Sequence, residues 1–198
     1  FLARLQPLGA HNPASSGKRL VLMIGSFALF AAGMTLFEIN FPHYLRGQFQ
    51  MKAGFRSFLE FPRESQGFAV VFYAVLLGAV TERRLFALAA TVTAAGMTAL
   101  ALLPARIIPD SITGLVPALP LIGVMMVHSA GMHLAGVREQ SISIESGGLD
   151  GAGRRLGWVA FWRTIAALVA ALAILAIGRV FDIGYRPYFL AGAGLCLS

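Results

Sequence analysis

Five stretches of this sequence run for 17 residues or more with at most one charged side chain, and each needs an apolar medium around it. Leu20 to Phe37 is 18 uncharged residues, Ser65 to Thr81 is 17, Leu85 to Ala105 is 21 and Ser111 to Val137 is 27. Leu156 to Gly178 is 23 residues broken only by Arg163. A helix rises about 1.5 Å per residue, so 18 residues reach about 27 Å, close to the roughly 30 Å hydrocarbon core of a bilayer. The runs therefore predict transmembrane helices, and the chain reads as an integral membrane protein.

Composition closes the other routes. Of 198 residues, 57% are apolar and 13% charged, against about 45–50% and about 25% in soluble domains, so neither a soluble domain nor a disordered chain fits. A net charge of +7 would suggest nucleic acid in a soluble protein. Here the sixteen Lys and Arg are spread thinly over the connections, where they set topology and anchor to anionic headgroups. The single cysteine, Cys196, excludes a disulfide framework or a cysteine-ligated zinc site.

The predicted fold is all-α, a polytopic helix bundle. A polar tail covers residues 1–19, full spans cover about 20–39, 62–81, 85–105, 112–137 and 156–178, and a sixth, 187–198, stops after 12 residues. Twelve helical residues reach only about 18 Å. The sequence, which opens on Phe1, thus reads as part of a longer chain, and its tail lacks the apolar core of a signal peptide. The connections run long (Asn40 to Glu64), tight (Glu82 to Arg84), short (Arg106 to Asp110), long (Arg138 to Arg155) and short (Arg179 to Arg186). Long then short, twice, is what two three-helix repeats would leave, the second inverted because three is odd. Lys and Arg number eight on the N-terminal side and seven on the other, which fixes no orientation.

The tight connection reads Gly78-Ala79-Val80-Thr81-Glu82-Arg83-Arg84. It resembles the cytoplasmic signature between the second and third helices of major facilitator superfamily transporters, a glycine, three residues, an acid, then a base. Leu85, Phe86 and Ala87 stand where that pattern continues with glycine and a basic pair. Gly153-Arg154-Arg155-Leu156-Gly157 and Gly184-Tyr185-Arg186-Pro187 resemble the family's entries to helices five and six, and Phe58 to Glu64 an entry to helix two. The resemblance implies the N-terminal six-helix half of a secondary transporter that moves a small solute by alternating access. It also implies a cytoplasmic N-terminus, a bacterial inner membrane, a C-terminal half as partner, and a conformational latch at Gly78, Glu82 and Arg83.

Candidate site residues follow from charge in apolar surroundings. Glu38 lies 18 residues past Leu20, about 27 Å along a helix and close to the outer boundary of span one. It either exchanges protons in a partly dehydrated cavity or reaches the headgroups beside Asn40 and His43. Glu60, Arg63 and Glu64 fall at i, i+3 and i+4, so they share one helix face at the mouth of span two, with Pro62 suited to a first turn. That triplet either recognises a charged solute or simply stabilises the entrance. Arg163, about 10 Å into span five, either faces a polar cavity as an anion or carboxylate contact or snorkels to the interface beside Trp162. Met125, His128 and Met132 share a face, which suggests a soft metal, but His133 is about 140° away and methionine usually fills packing gaps. His128 is better placed as a hydrogen-bonding group in a cavity.

No metal or other cofactor is expected. Gly147 to Arg155 lacks the lysine and hydroxyl residue of a phosphate loop, and no HExxH or GxSxG motif occurs, so the chain is not expected to be an enzyme. A membrane-embedded enzyme would need a gathered nucleophile, acid-base pair or metal. A scaffold or receptor would turn Glu38 and Arg163 to the headgroups. The alanine pairs Ala95/Ala99, Ala166/Ala170 and Ala167/Ala171 mark expected close helix approaches.

Overall fold

The structure, a computed structural model, describes residues 13–104, 115–145, 151–180 and 184–198. Within these, six helices and no strand follow one another: α1 (Pro13–Phe49), α2 (Ala53–Leu76), α3 (Glu82–Leu102), α4 (Leu115–Glu145), α5 (Ala152–Val180) and α6 (Tyr185–Cys196). Most of the tail, the Arg106–Asp110 connection, half of the glycine-rich stretch and residues 181–183 lie outside the described residues.

Four helices are long and apolar enough to cross a membrane: α1 over Leu20–Phe49, α3, α4 over Ala118–Glu145, and α5. These are the properties of a membrane protein. In lipid no water pairs with the backbone, so a spanning segment closes its own N–H and C=O groups as helix. The expected span at 62–81 is not among the four. Glu60, Arg63 and Glu64 interrupt the apolar run of α2, which spans 53–76. Large side chains stand open on α2 (Phe61, Phe68, Phe72, Leu76) and α5 (Leu168, Val169, Leu172, Leu175), an apolar exterior far beyond the patches soluble proteins tolerate.

The helices overrun the expected spans because several charges sit inside them. α1 continues to Phe49 and α2 starts at Ala53, so the long first connection reduces to residues 50–52. Gln50, at φ 52°, takes the left-handed turn, and the Met51 amide donates to the Leu45 carbonyl at 3.3 Å, closing the helix end. Likewise α4 runs eight residues past the expected limit at 137, to Glu145. The alternation of connection lengths is therefore absent.

A different observation carries the repeat. α1 packs on α5 and α6, α4 packs on α2 and α3, and α3 packs on α6. Exchanging the first three helices for the last three maps each of these pairs onto another or onto itself. The remaining packed pair, α4 with α5, corresponds to α1 with α2, which an ion pair joins. The contacts also show alternating directions. Gly33 meets Gly192 and Gly47 meets Tyr185, so α1 and α6 are antiparallel, whereas Gly67 meets His133 as the Arg63 carbonyl meets Ser129, so α2 and α4 are parallel.

The core is aromatic at the α1–α6 contact, where Phe37 stacks on Phe41 and meets Phe189 at a tilt, and Tyr44 ties α1 to α3 by donating to the Leu100 carbonyl at 2.8 Å. Glycine sets the other close approaches. A Cβ at Gly131 would lie 2.6 Å from the Thr93 amide nitrogen, and one at Gly96 2.6 Å from the His128 Cα. Of the alanine pairs, Ala95 is exposed on α3, so Thr93 and Gly96 make the contact expected of it. Gly131→Ala should cost about 1–3 kcal/mol by overpacking. Gly123→Ala, with nothing within 4 Å, should gain about 0.5–1 kcal/mol from helix propensity. Unfolding titrations in detergent check the pair, and equal signs would contradict this packing.

Candidate functional site

Arg63 is the centre of the largest polar cluster inside the described bundle. One of its terminal amino groups donates to both Glu38 oxygens, at 2.8 and 2.9 Å, and the other donates to Glu60 at 3.1 Å. Its Nε is 3.8 Å from Glu64, and the other Glu64 oxygen is 3.8 Å from His133 Nε2. Ser129 donates to the Arg63 carbonyl at 2.6 Å, and the guanidinium lies 5.9 Å from the Phe41 ring centroid. Helices α1, α2 and α4 thus each contribute. Three carboxylates face one guanidinium, so acidic groups outnumber the arginine they share.

Its depth follows from the helices. Ser129 is nine residues before Arg138, which pairs with Glu82 at the start of α3, so the cluster lies about 14 Å in from that end. Since α3 spans about 31 Å by the same rise, the cluster sits near mid-depth. This corrects the boundary placement of Glu38, because α1 continues eleven residues beyond it. It corrects Glu60, Arg63 and Glu64 as well: they lie seven to eleven residues past the first residue of α2, and Pro62 is interior to the helix. A carboxylate at that depth is costly unless paired, which is why Arg63 is drawn in.

At the N-terminal end of α3 the expected latch has another partner. Glu82 is the first residue of α3, where the helix dipole favours an acid. It accepts from Arg138 of α4 at 2.8 and 2.9 Å, whereas Arg83 is exposed. Arg138 also donates to the Ala74 carbonyl at 3.4 Å, tying the end of α2 into the same knot. Gly78 is exposed, and its Cβ would meet only Val75 and Ala74 of its own helix end. It therefore closes a turn and does not bring two helices together.

Arg163 contacts a carboxylate, as one of its two expected roles has it. It donates to Glu139 of α4 at 2.9 Å, with the carboxylate side chain 5% exposed and the guanidinium side chain 44%. Both Arg138 and Glu139 escaped the sequence reading, which took Arg138 as the start of a loop. The available signal was the breaker-free stretch Gln140 to Ile144 beyond them, since a helix continues until something stops it.

His128 is a core residue, 1% exposed, and not a cavity group. Its Nδ1 is 3.3 Å from the Thr93 carbonyl and its ring meets Phe37 at a tilt with centroids 4.2 Å apart. Among the described residues no three His, Cys, Asp or Glu side chains gather as a metal site would require. His133, five positions on, belongs to the Arg63 cluster.

Comparison with family models, with curated proteins and with solved structures gives no match to this chain.

Proposed function

We propose that the chain is one lobe of a secondary transporter of the major facilitator type, moving a small solute across the membrane by alternating access. The observation that carries this reading is the Arg63 cluster, a group of five ionisable side chains from three helices near mid-depth, where charge is expensive and usually functional. The internal exchange of α1–α3 with α4–α6 supports it, because inverted repeats around a midplane site are the architecture by which carriers present one site to two sides. On this reading α2 is also a span, its charged face turned to the polar interior and its phenylalanines to lipid.

The excess of carboxyl groups over arginine favours a cationic species at the site, a proton among them, with Glu38 able to exchange Arg63 for a proton or solute as access changes. A single lobe cannot enclose a solute from both sides. The reading therefore needs a second lobe, from further chain or another copy, and places the N-terminus and Glu82 on the cytoplasmic side of a bacterial inner membrane.

The test uses the full-length chain in liposomes holding a pH-sensitive dye, with an imposed proton gradient. A panel of organic cations and anions is added, and solute-dependent proton movement is recorded. The reading expects at least one solute to drive flux that Glu38→Gln reduces more than tenfold. Solute flux that is indifferent to both Glu38→Gln and Arg63→Lys would overturn the assignment of the site.

A further inference from the structure

The two halves share more than their packing partners. Gly33 and Gly131, which make the close approaches of α1 to α6 and of α4 to α3, are 98 positions apart in the chain. The residues they meet, Thr93 and Gly192, are 99 apart. Glu38 and Glu139 are 101 apart, and Arg63 and Arg163 are 100 apart. The Glu38–Arg63 pair joins the first helix of its half to the second at 2.8 Å across 25 positions, and Glu139–Arg163 does the same at 2.9 Å across 24. Four features thus recur at spacings of 98 to 101 positions in one spatial order, and the ion pairs are structural equivalents.

Equivalence does not make them identical. Ser129, bonded to the Arg63 backbone, precedes Glu139 by ten residues of α4, so the pairs are offset by about 15 Å along the bundle. The first lies near mid-depth, the second at the end where α3 begins. Exposure is exchanged too: Arg63 is 13% exposed and Glu38 34%, while Glu139 is 5% and Arg163 44%. In each pair one partner is anchored and the other faces open space. α1 and α2 otherwise make few contacts, so their link is one that can be opened without unpacking a core.

We infer that Glu38–Arg63 and Glu139–Arg163 are equivalent locks, one per three-helix unit, that open singly and so determine which end of the bundle is open. Opening the first frees α2 from α1, and opening the second frees α5 from α4. The two locks are inverted copies, so each acts on the opposite end. The inference rests on the carrier reading for its purpose but not for its test.

The test measures distances and needs no solute. The full-length protein in lipid nanodiscs carries spin labels either at Ile39 and Phe68, across α1 and α2, or at Val137 and Leu172, across α4 and α5. Glu38→Gln should lengthen the first distance distribution and leave the second unchanged, and Glu139→Gln should do the reverse. Both replacements keep size and hydrogen-bonding capacity, and the swapped pair Glu38→Arg with Arg63→Glu should return the first distribution toward the wild-type one. Movement of both distances in either single variant, or of neither, overturns the inference. Unchanged distances in a protein that transports would sink the locks alone, whereas moving distances in a protein that transports nothing would sink the carrier alone.

Discussion

Arg63→Ala is expected to be the most damaging single replacement in the chain. It removes the one cation that Glu38, Glu60 and Glu64 share, leaving three carboxylates of two helices together near mid-depth. Breaking a buried pair from one side costs about 3–5 kcal/mol, because the partner is stranded as uncompensated charge. The carboxylates here are 34, 45 and 55% exposed, which lowers the cost of each, but three are stranded at once, so their sum is expected in the same range. The double replacement Arg63→Met with Glu38→Leu should recover more than half of that loss, since an apolar pair of similar volume avoids the stranding. Unfolding titrations in bicelles separate the cases. A single-variant loss below about 1 kcal/mol, the range of an exposed ion pair, would mean that the pair does not hold α2 to α1.

Arg163→Ala should come second, at about 3–5 kcal/mol, although the side chain removed is the more exposed member of its pair. What matters is what it leaves behind. Glu139 is 4% exposed as a residue, and Arg163 is the cation bonded to it. Losing the pair should weaken the α4–α5 contact. Arg83→Ala, an exposed arginine beside the latch, is the control and should stay within about 0.5 kcal/mol. If Arg163→Ala and Arg83→Ala behave alike, Glu139 is not the buried carboxylate described.

The parts of the fold that follow from local pattern were legible. Apolar runs locate α3 and α5 to within a few residues, and the i, i+3, i+4 spacing places Glu60, Arg63 and Glu64 together before any coordinates. The limits lie where a charge was taken to mark the membrane surface. Glu38, Arg138 and Glu139 each sit inside a continuing helix, paired with a residue on another helix 24 to 56 positions away. Sequence periodicity reports only on a residue's own helix, so it identifies a face without its partner. For the same reason Arg83, adjacent to Glu82, was the natural choice over Arg138, which only the antiparallel packing of α3 and α4 brings near. His133 was set aside as facing away from His128, and that direction is what carries it to Glu64.

The central claim is that the Arg63 cluster opens to water at the middle of a lipid-embedded bundle. Cysteine labelling tests it directly, because the single native cysteine, Cys196, is buried and can be replaced by serine. In membrane vesicles, Glu64→Cys on the charged face of α2 should react with a membrane-impermeant maleimide, and Phe72→Cys two turns along on the exposed apolar face should not. Equal reaction at both positions would place the helix in water, and no reaction at Glu64→Cys from either side of the membrane would leave the cluster sealed, contradicting its role as a site.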